Sequence, residues 1–417
     1  KVFPSLNIVK RILTNSTRSS SIKSIKKSHR SNGIRDDTRL IRRLHNMVRC
    51  GYNNYAEEYL ENILASPAAK QENRGNAAWS LARKYAAQGN LTRALERLEL
   101  AKQSNSALAG ELSFALYEAD LLRRTGNNDK AREIVKRAFT THGEDPCLCY
   151  MMASLHDDSD ARLSWMNKPL LANGFAPLRK VTPQLPLSIY NVTAEAAPST
   201  GGPKVSVIMP AFNAERTIEM AAHSILDQTW GNIELIIVDD SSTDGTWDLV
   251  EKIAQVDPRV VPIRRTVNSG AYPARNIGLS QASGEYVTVN DADDWSHPQR
   301  ISTQIEHVLS NDNSLPLVYG LRSTSDLIGT IKSTYDNFIT VNLSSMLVPR
   351  QSLRKLGGWD EARFSADSEL FLRLTEAGKW KAGRLWRHVP LSFILSREES
   401  LTNAGATGLN SLHYGAR

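Results

Sequence analysis

The 417-residue chain is poor in cysteine: Cys50, Cys147 and Cys149 are all it has. Three thiols match no disulfide framework and no paired zinc-binding spacing, and Cys147 and Cys149, two apart, diverge if their segment is helical. A reducing cytosol is the simplest setting, which makes the glycosylation sequons at Asn15, Asn191 and Asn342 chance matches. Long hydrophobic runs are missing too. The strongest, Ile233–Val238 around Glu234, falls far short of the ~20 residues that span a bilayer and reads as a buried strand. Acidic residues are absent from residues 1–35, which hold nine Lys or Arg. Removing those nine from the net charge of +7 leaves −2 on the remainder, so the chain is a near-neutral body with a basic arm and not a nucleic-acid-binding protein. The Ser-rich arm, residues 1–36, fits a disordered leader, a transit peptide or a segment drawn to anionic lipid at the inner face of a membrane. A start at Lys1 is compatible with a missing N-terminal segment, and the tail, 396–417, is compatible with truncation.

What is present falls into two patterns, as the length leads one to expect of two domains. From Arg39 to Leu155 the chain reads as successive helices without strand-like alternation. Gly51, Gly89 and Gly126 recur at intervals of 38 and 37; Ala56, Ala94 and Ala131 follow each by five residues, and Ile63, Ala101 and Ala138 come seven later. Gly lets the chain reverse between two helices, and Ala lets those helices approach closely. The period predicts a helical solenoid, expected over 37–165, with a plain helical bundle as the competing arrangement. Its clearest unit, with Ala78, Trp79, Leu81, Ala82, Tyr85, Gly89, Ala94, Leu98 and Ala101, resembles the tetratricopeptide repeat. That resemblance implies a concave surface for a protein partner, a membrane complex or an extended acceptor.

Residues 166–203 carry Pro169, Pro177, Pro183, Pro186, Pro198 and Pro203 and read as a Pro-rich linker. From 204 to 395, buried strands at Val205–Met209, Leu235–Val238, Val260–Ile263 and Tyr286–Val289 alternate with helical stretches. Such alternation predicts a mainly parallel sheet with its ligand site at the carboxyl edge.

The chemistry-bearing residues follow those strands. Val205–Met209 runs into Pro210-Ala211-Phe212-Asn213, with Glu215 at a helix start; a helix cap by Asn213 accounts for the turn alone. The second strand ends in Asp239-Asp240, and Asp244-Gly245 supplies turn chemistry behind it. Pro273 suits the first turn of a helix, placing Arg275 and Asn276 near its beginning. Tyr286–Val289 delivers Asp291-Ala292-Asp293-Asp294. Three carboxylates within four residues repel one another unless a cation sits among them, and oxygen donors suit a hard divalent ion, Mn2+ or Mg2+. Finally, Gly357-Gly358-Trp359 precedes Asp367 and Glu369. An ionised Asp at neutral pH is ready to accept a proton, although Asp367 as a helix cap is the alternative.

In this order, from Val205 to Gly378, the motifs resemble glycosyltransferase family 2, whose fold is GT-A, the nucleotide-diphospho-sugar transferase type with an α/β Rossmann-like mixed sheet. The resemblance implies a metal-dependent, inverting transfer of a sugar from a nucleotide-sugar, uridine being favoured. The acceptor would be a hydroxyl of a saccharide, a lipid-linked glycan or a protein, in cell-surface glycan synthesis. By the same resemblance Pro210, Ala211, Phe212, Asn213 and Glu215 wrap the base and ribose. Asp240 accepts from the base imide N–H, and Arg275, Asn276 and Asp291 line the donor pocket. Asp291, Asp293 and Asp294 form the DXD motif that holds the metal, Asp293 foremost. Asp367 falls at the position of the catalytic base, although Ala366 stands where the family more often has Glu. Glu369 is a second candidate carboxylate, Trp359 an acceptor-site wall, and His388 a ligand to metal or phosphate. The Gln-x-x-Arg-Trp signature of processive polymerases is absent, which favours one transfer per encounter. The alternative from another class is a helical-repeat adaptor carrying an idle transferase fold.

Overall fold

The computed structural model describes residues 40–41, 43–44, 53–199, 201–331, 337–362, 365–377 and 380–396. The basic arm, Cys50, Gly51, Asn15 and the tail beyond Ser396 lie outside them. The chain forms two compact units, one reaching to Gly143 and one made of Glu144–Thr330 with Phe338–Ser396. Among the described residues no helix is long and apolar enough to cross a membrane.

The first unit is helical throughout its elements: α1 (Asn53–Ala65), α2 (Gln71–Ala87), α3 (Leu91–Ser104), the single turn α4 (Ser106–Ala109), α5 (Leu112–Arg124) and α6 (Asn128–His142). Gly89 and Gly126, at φ +78° and +79°, sit between the helices of the pairs α2/α3 and α5/α6, in the left-handed conformation that closes a helix without Cβ strain. The recurring small residues do what their spacing predicts: Ala56, Ala94, Ala101 and Ala131 are wholly buried. Each helix therefore hides one apolar stripe against its neighbours.

The second unit begins at Glu144, whereas the sequence reads as helical repeat to 165 and transferase domain from 204. Two helices, α7 (Pro146–Ser154) and α8 (Ser159–Ala172), belong to it. The segment expected as a linker is ordered. Pro169 lies inside α8, and β1 (Leu178–Arg179) pairs antiparallel with β2 (Thr193–Ala194). Leu187, Ile189 and Val192 are buried, and the Ile189 N–H donates to the Ser325 carbonyl at 2.7 Å. Prolines suppress regular structure there, but apolar side chains between them still pack. The sequons at Asn191 and Asn342 are buried, with Asn191 Nδ2 held by the Thr182, Leu185 and Pro186 carbonyls and Asn342 Nδ2 by Ser392 Oγ.

The remaining elements in chain order are β3 (Val205–Ala211), α9 (Ile218–Leu226), β4 (Ile233–Asp239), α10 (Thr246–Val256), β5 (Val260–Arg264), α11 (Ala271–Gln281), β6 (Tyr286–Val289), β7 (Trp295–Ser296), α12 (Arg300–Ser310), β8 (Ser314–Leu317), β9 (Tyr319–Ser323), β10 (Ile339–Val341), β11 (Val348–Pro349), α13 (Arg350–Lys355), α14 (Ala366–Ala377), β12 (Lys381–Arg384) and β13 (Pro390–Leu395). The main sheet has the order β11-β6-β3-β4-β5. β6, β3, β4 and β5 are mutually parallel, and β11 runs antiparallel on the edge beside β6. A second, mixed sheet has the order β10-β9-β13-β7.

Alternation along the central strands builds a core on each face. Val205, Val207, Met209, Leu235 and Ile237 pack with α9, α10 and α12, while Ile208, Ile236 and Val238 pack with α11, α13 and α14. Gly278 lets α11 lie against β3, since a Cβ there would meet Ile208 Cγ2 at 2.6 Å. The chain winds outward from β3 through β4 to β5, then returns to place β6 on the other side of β3. That reversal puts the carboxyl ends of β3 and β6 side by side, where open α/β sheets bind ligands.

Glu234, the charge inside the most apolar strand, is 7% exposed and fully satisfied. Its carboxylate accepts from Lys204 Nζ (2.7 Å), Ser206 Oγ (2.5 Å), and Ser283 N and Oγ (both 2.7 Å). Burial alone would raise its pKa, but these donors outweigh it and bring it down to about 2. A depressed carboxylate contributes stability that is complete above its unfolded pKa, near 4.5, and is lost as pH falls toward about 2. Glu234→Gln is therefore expected to cost on the order of 3 kcal/mol at pH 7. It should also flatten the acid limb of stability between those pH values in urea titrations; an unchanged limb would refute the assignment.

Candidate active site

The site assembles around the first turns of α11. Gly270 (φ +95°) occupies its N-cap position, and the exposed amides of Ser269 and Gly270 point to Asp240, just past the end of β4. Asp240 Oδ2 accepts from Ser269 N (3.0 Å) and Gly270 N (2.6 Å), and Oδ1 is paired with Arg265. A helix N-terminus favours an anion here. Asp240, expected to receive a base imide, is 2% exposed with both oxygens engaged. These bonds tie it to the 265–270 loop.

Tyr272 lies in the first turn of α11 and Arg275 at the start of the second. Arg275, 3% exposed, sends Nη1 to Asp367 Oδ1 (2.6 Å) and Nη2 to Asp291 Oδ1 (2.7 Å). Its guanidinium lies over the rings of Tyr272 (5.1 Å) and Trp359 (5.9 Å). Burial opposes the charge, but Asp367 and Asp291 outweigh it and push the Arg275 pKa above its ordinary value. The arginine expected to touch donor phosphate is thus the bridge between the acidic loop after β6 and the acid that opens α14.

Asp367 is fixed by more than this ion pair. Oδ1 also accepts from Trp359 Nε1 at 3.0 Å, and Tyr272 Oη (3.4 Å) and Ser344 Oγ (3.5 Å) lie at Oδ2. The Tyr272 hydroxyl is pushed up to about 12, by burial first and then by Asp367, so it remains a donor. Trp359 is buried and held by Asn276, whose side-chain amide gives and receives one bond each with the Trp359 backbone (both 2.9 Å). Gly358 (φ +73°) permits this, since a Cβ would lie 2.5 Å from Asn276 Oδ1. Asn276, expected in the donor pocket, is therefore a support for the Trp359 loop. Glu369 pairs with Arg373 (2.6 Å), which also donates to the Gly358 carbonyl, leaving Asp367 as the carboxylate in the cleft.

The acidic loop is shaped by Asn290, whose Nδ2 donates to the Asp291 and Asp294 carbonyls and whose Oδ1 accepts from Ser296 Oγ. Asp291 is open to solvent on one side, its side chain being 34% exposed. Asp294, expected as a metal ligand, is 5% exposed and accepts from the Leu395 N–H. Burial, then Asp293 and Asp291, hold its pKa well above the carboxylate range, while Arg322 pulls the other way. Beneath it Arg300, 1% exposed, donates to the Val289 carbonyl and is pushed down to about 10 by burial. The loop thus turns its last carboxylate into the core, where Arg322 and Arg300 are near enough to interact with it electrostatically.

The turn after β3 is tied by hydrogen bonds to the loop after β4. Asn213 (φ +48°) accepts from Thr243 N at 2.9 Å, and Glu215 Oε2 from Gly245 N at 3.2 Å. Asp244 accepts from Thr246 N just ahead of α10 and also receives Glu215 N. Pro210 and Ala211 are buried at the end of β3, and Phe212, half exposed, is the one large apolar side chain this turn offers to solvent.

His388 does not join the cleft. It precedes the far end of β13 from Leu395, the residue that reaches Asp294, and faces Asp145 at the start of α7. Tyr272, Ser344, Arg265 and Asn290 are contacts of the candidate site residues that sequence reading missed. Only Tyr272 carried a signal, as the unusual residue before Pro273.

The doubly wound sheet, with acidic loops gathered at its topological switch, is of the GT-A fold type. Residues 206–340 match the family model of Glycosyl transferase family 2, and the chain contains a domain of that family. An uncharacterized glycosyltransferase of Haemophilus influenzae is 34% identical over 165 residues, covering 37% of this chain and 65% of that protein. The Escherichia coli UDP-Glc:α-D-GlcNAc-diphosphoundecaprenol β-1,3-glucosyltransferase WfaP is 46% identical over 101 residues, covering 24% of this chain and 39% of that protein. Among solved structures, Staphylococcus aureus TarS in complex with UDP aligns with a TM-score of 0.39 and 22% identity over 47% of this chain and 61% of that one. The match therefore spans less than two thirds of each of these proteins.

Proposed function

We propose that the second unit transfers a sugar from a nucleoside diphosphate donor, uridine being favoured, to an acceptor hydroxyl with inversion at the anomeric carbon. The supporting observation is Arg275 bonded at once to Asp367 and Asp291, which ties Asp367 to the acidic loop. Asp367 Oδ2 takes the acceptor's hydroxyl proton as the acceptor oxygen bonds to the anomeric carbon. The bond from that carbon to the diphosphate oxygen breaks on the opposite face, and the diphosphate leaves with the electron pair. Arg275, Trp359 and Tyr272 hold the base in one rotamer, which supplies orientation. Phe212 packs on the nucleobase, and the turn of Asn213 with Ser242 and Thr243 shapes the ribose side. The names of relatives, which include a UDP-Glc donor and a lipid-diphosphate acceptor, favour cell-surface glycan assembly.

The family implies a divalent cation, and the donor set fits one. Asp291 and Asp293 offer oxygen alone and crowd like charges onto one loop, which suits a hard divalent ion. Among the described residues the loop's three carboxylates do not converge within 4.8 Å, so the protein would give one or two ligands and the diphosphate and water the rest. Bound there, Mn2+ or Mg2+ supplies charge stabilisation for the departing diphosphate. In thermal melts, UDP-sugars with Mn2+ are expected to stabilise the wild type by about 2.7 kcal/mol at a hundredfold excess over Kd. Asp293→Asn should abolish the metal-dependent part. Equal stabilisation of both proteins would remove Asp293 from the site.

A further inference from the structure

Away from the transferase cleft, three side chains of different chemistry converge where α7 begins. Asp145 is the N-cap of α7, with Oδ1 accepting from Cys147 N at 2.8 Å. Its other oxygen lies 3.8 Å from His388 Nδ1. A carboxylate oxygen of Asp145, Cys147 Sγ and a ring nitrogen of His388 all fall within 4.8 Å of one another. The Cys147 side chain is wholly buried, while Asp145 and His388 keep 22% and 19% exposure and leave a path from solvent. His388 is held at φ +63°, and its ring meets Tyr319 edge-on at 5.5 Å. Cys149, two residues on, turns elsewhere, with Sγ 4.0 Å from the Glu144 carbonyl. Burial pushes its thiol up to about 12, so it stays protonated.

We propose that Asp145, Cys147 and His388 form a binding site for a zinc-class divalent ion, with one thiolate, one imidazole, one carboxylate and an open position for water. Ligand atoms around tetrahedral zinc stand roughly 3.3–3.8 Å apart, given bonds of about 2.0–2.3 Å, so the cluster needs to contract by about 1 Å. Sulfur and imidazole select zinc or cobalt over Mg2+ and Mn2+, the reverse of the oxygen-only loop at Asp291 and Asp293. On binding, the Cys147 thiol passes its proton to solvent and sulfur gives the electron pair to the metal. The ion would staple the start of α7 to the start of β13, the strand whose other end reaches Asp294.

Cobalt titration of the chelator-treated full chain tests this directly. One equivalent of Co2+ is expected to give a thiolate-to-cobalt charge-transfer band in the near ultraviolet, which the acidic loop cannot produce, and Zn2+ should bleach it. Cys147→Ser should remove the band, whereas Cys149→Ser and Cys50→Ser should keep it. Asp145→Asn retains the helix cap, so its fold is secure, and with His388→Gln it should weaken cobalt binding at least about tenfold. A band that is absent at saturating cobalt, survives Cys147→Ser, or is indifferent to Asp145→Asn and His388→Gln would overturn the site and leave a capped helix end with an ion pair only.

Discussion

Asp367→Asn is expected to reduce sugar transfer, and the slower hydrolysis of the donor by water, by about 10²- to 10⁴-fold while leaving donor affinity intact. The amide oxygen can still accept from Arg275 and Trp359 Nε1, and the Tyr272 and Ser344 hydroxyls can turn to suit the new NH2 group. Geometry is thus retained and only proton acceptance is lost. Donor binding in the melts described above, measured beside release of nucleoside diphosphate, separates the two effects. Undiminished turnover would show that another group receives the proton, and Glu369, tied up by Arg373, would become the next candidate.

Arg275→Met is expected to cost about 3–5 kcal/mol of stability as well as activity, because it leaves Asp291 and Asp367 facing one another around a buried gap. Lysine cannot serve both partners through a planar fork, so Arg275→Lys should rescue little. A double-mutant cycle makes the cause testable. If uncompensated charge is responsible, Arg275→Met combined with Asp367→Asn should be more stable than Arg275→Met alone, read as urea midpoints. Strict additivity would assign the loss to packing against Tyr272 and Trp359 instead.

The strands that carry the site were legible as short apolar runs, and their acidic ends as chemistry, because burial on both faces and a carboxylate cluster each leave a local mark. The glycine period of the first unit was legible for the same reason, since a left-handed helix ending demands Gly. The strands of the second sheet were not: β7 (Trp295–Ser296) and β10 (Ile339–Val341) are very short, and β13 pairs with strands far off in the chain. The roles of polar side chains were harder still. That the Ser269 and Gly270 amides and Arg265 converge on Asp240, and that Asp294 turns into the core, leaves no mark in the local sequence.

Read alone, the chain specified a helical-repeat region, a parallel α/β core and the order of acidic motifs along it, since periodicity and strand-end chemistry are properties of neighbouring residues. Which carboxylates face solvent, that Arg275 spans two of them, and that Cys147 meets His388 were settled only in three dimensions. Those facts depend on which distant groups folding brings within hydrogen-bonding reach, and competition among buried donors and acceptors decides each pairing.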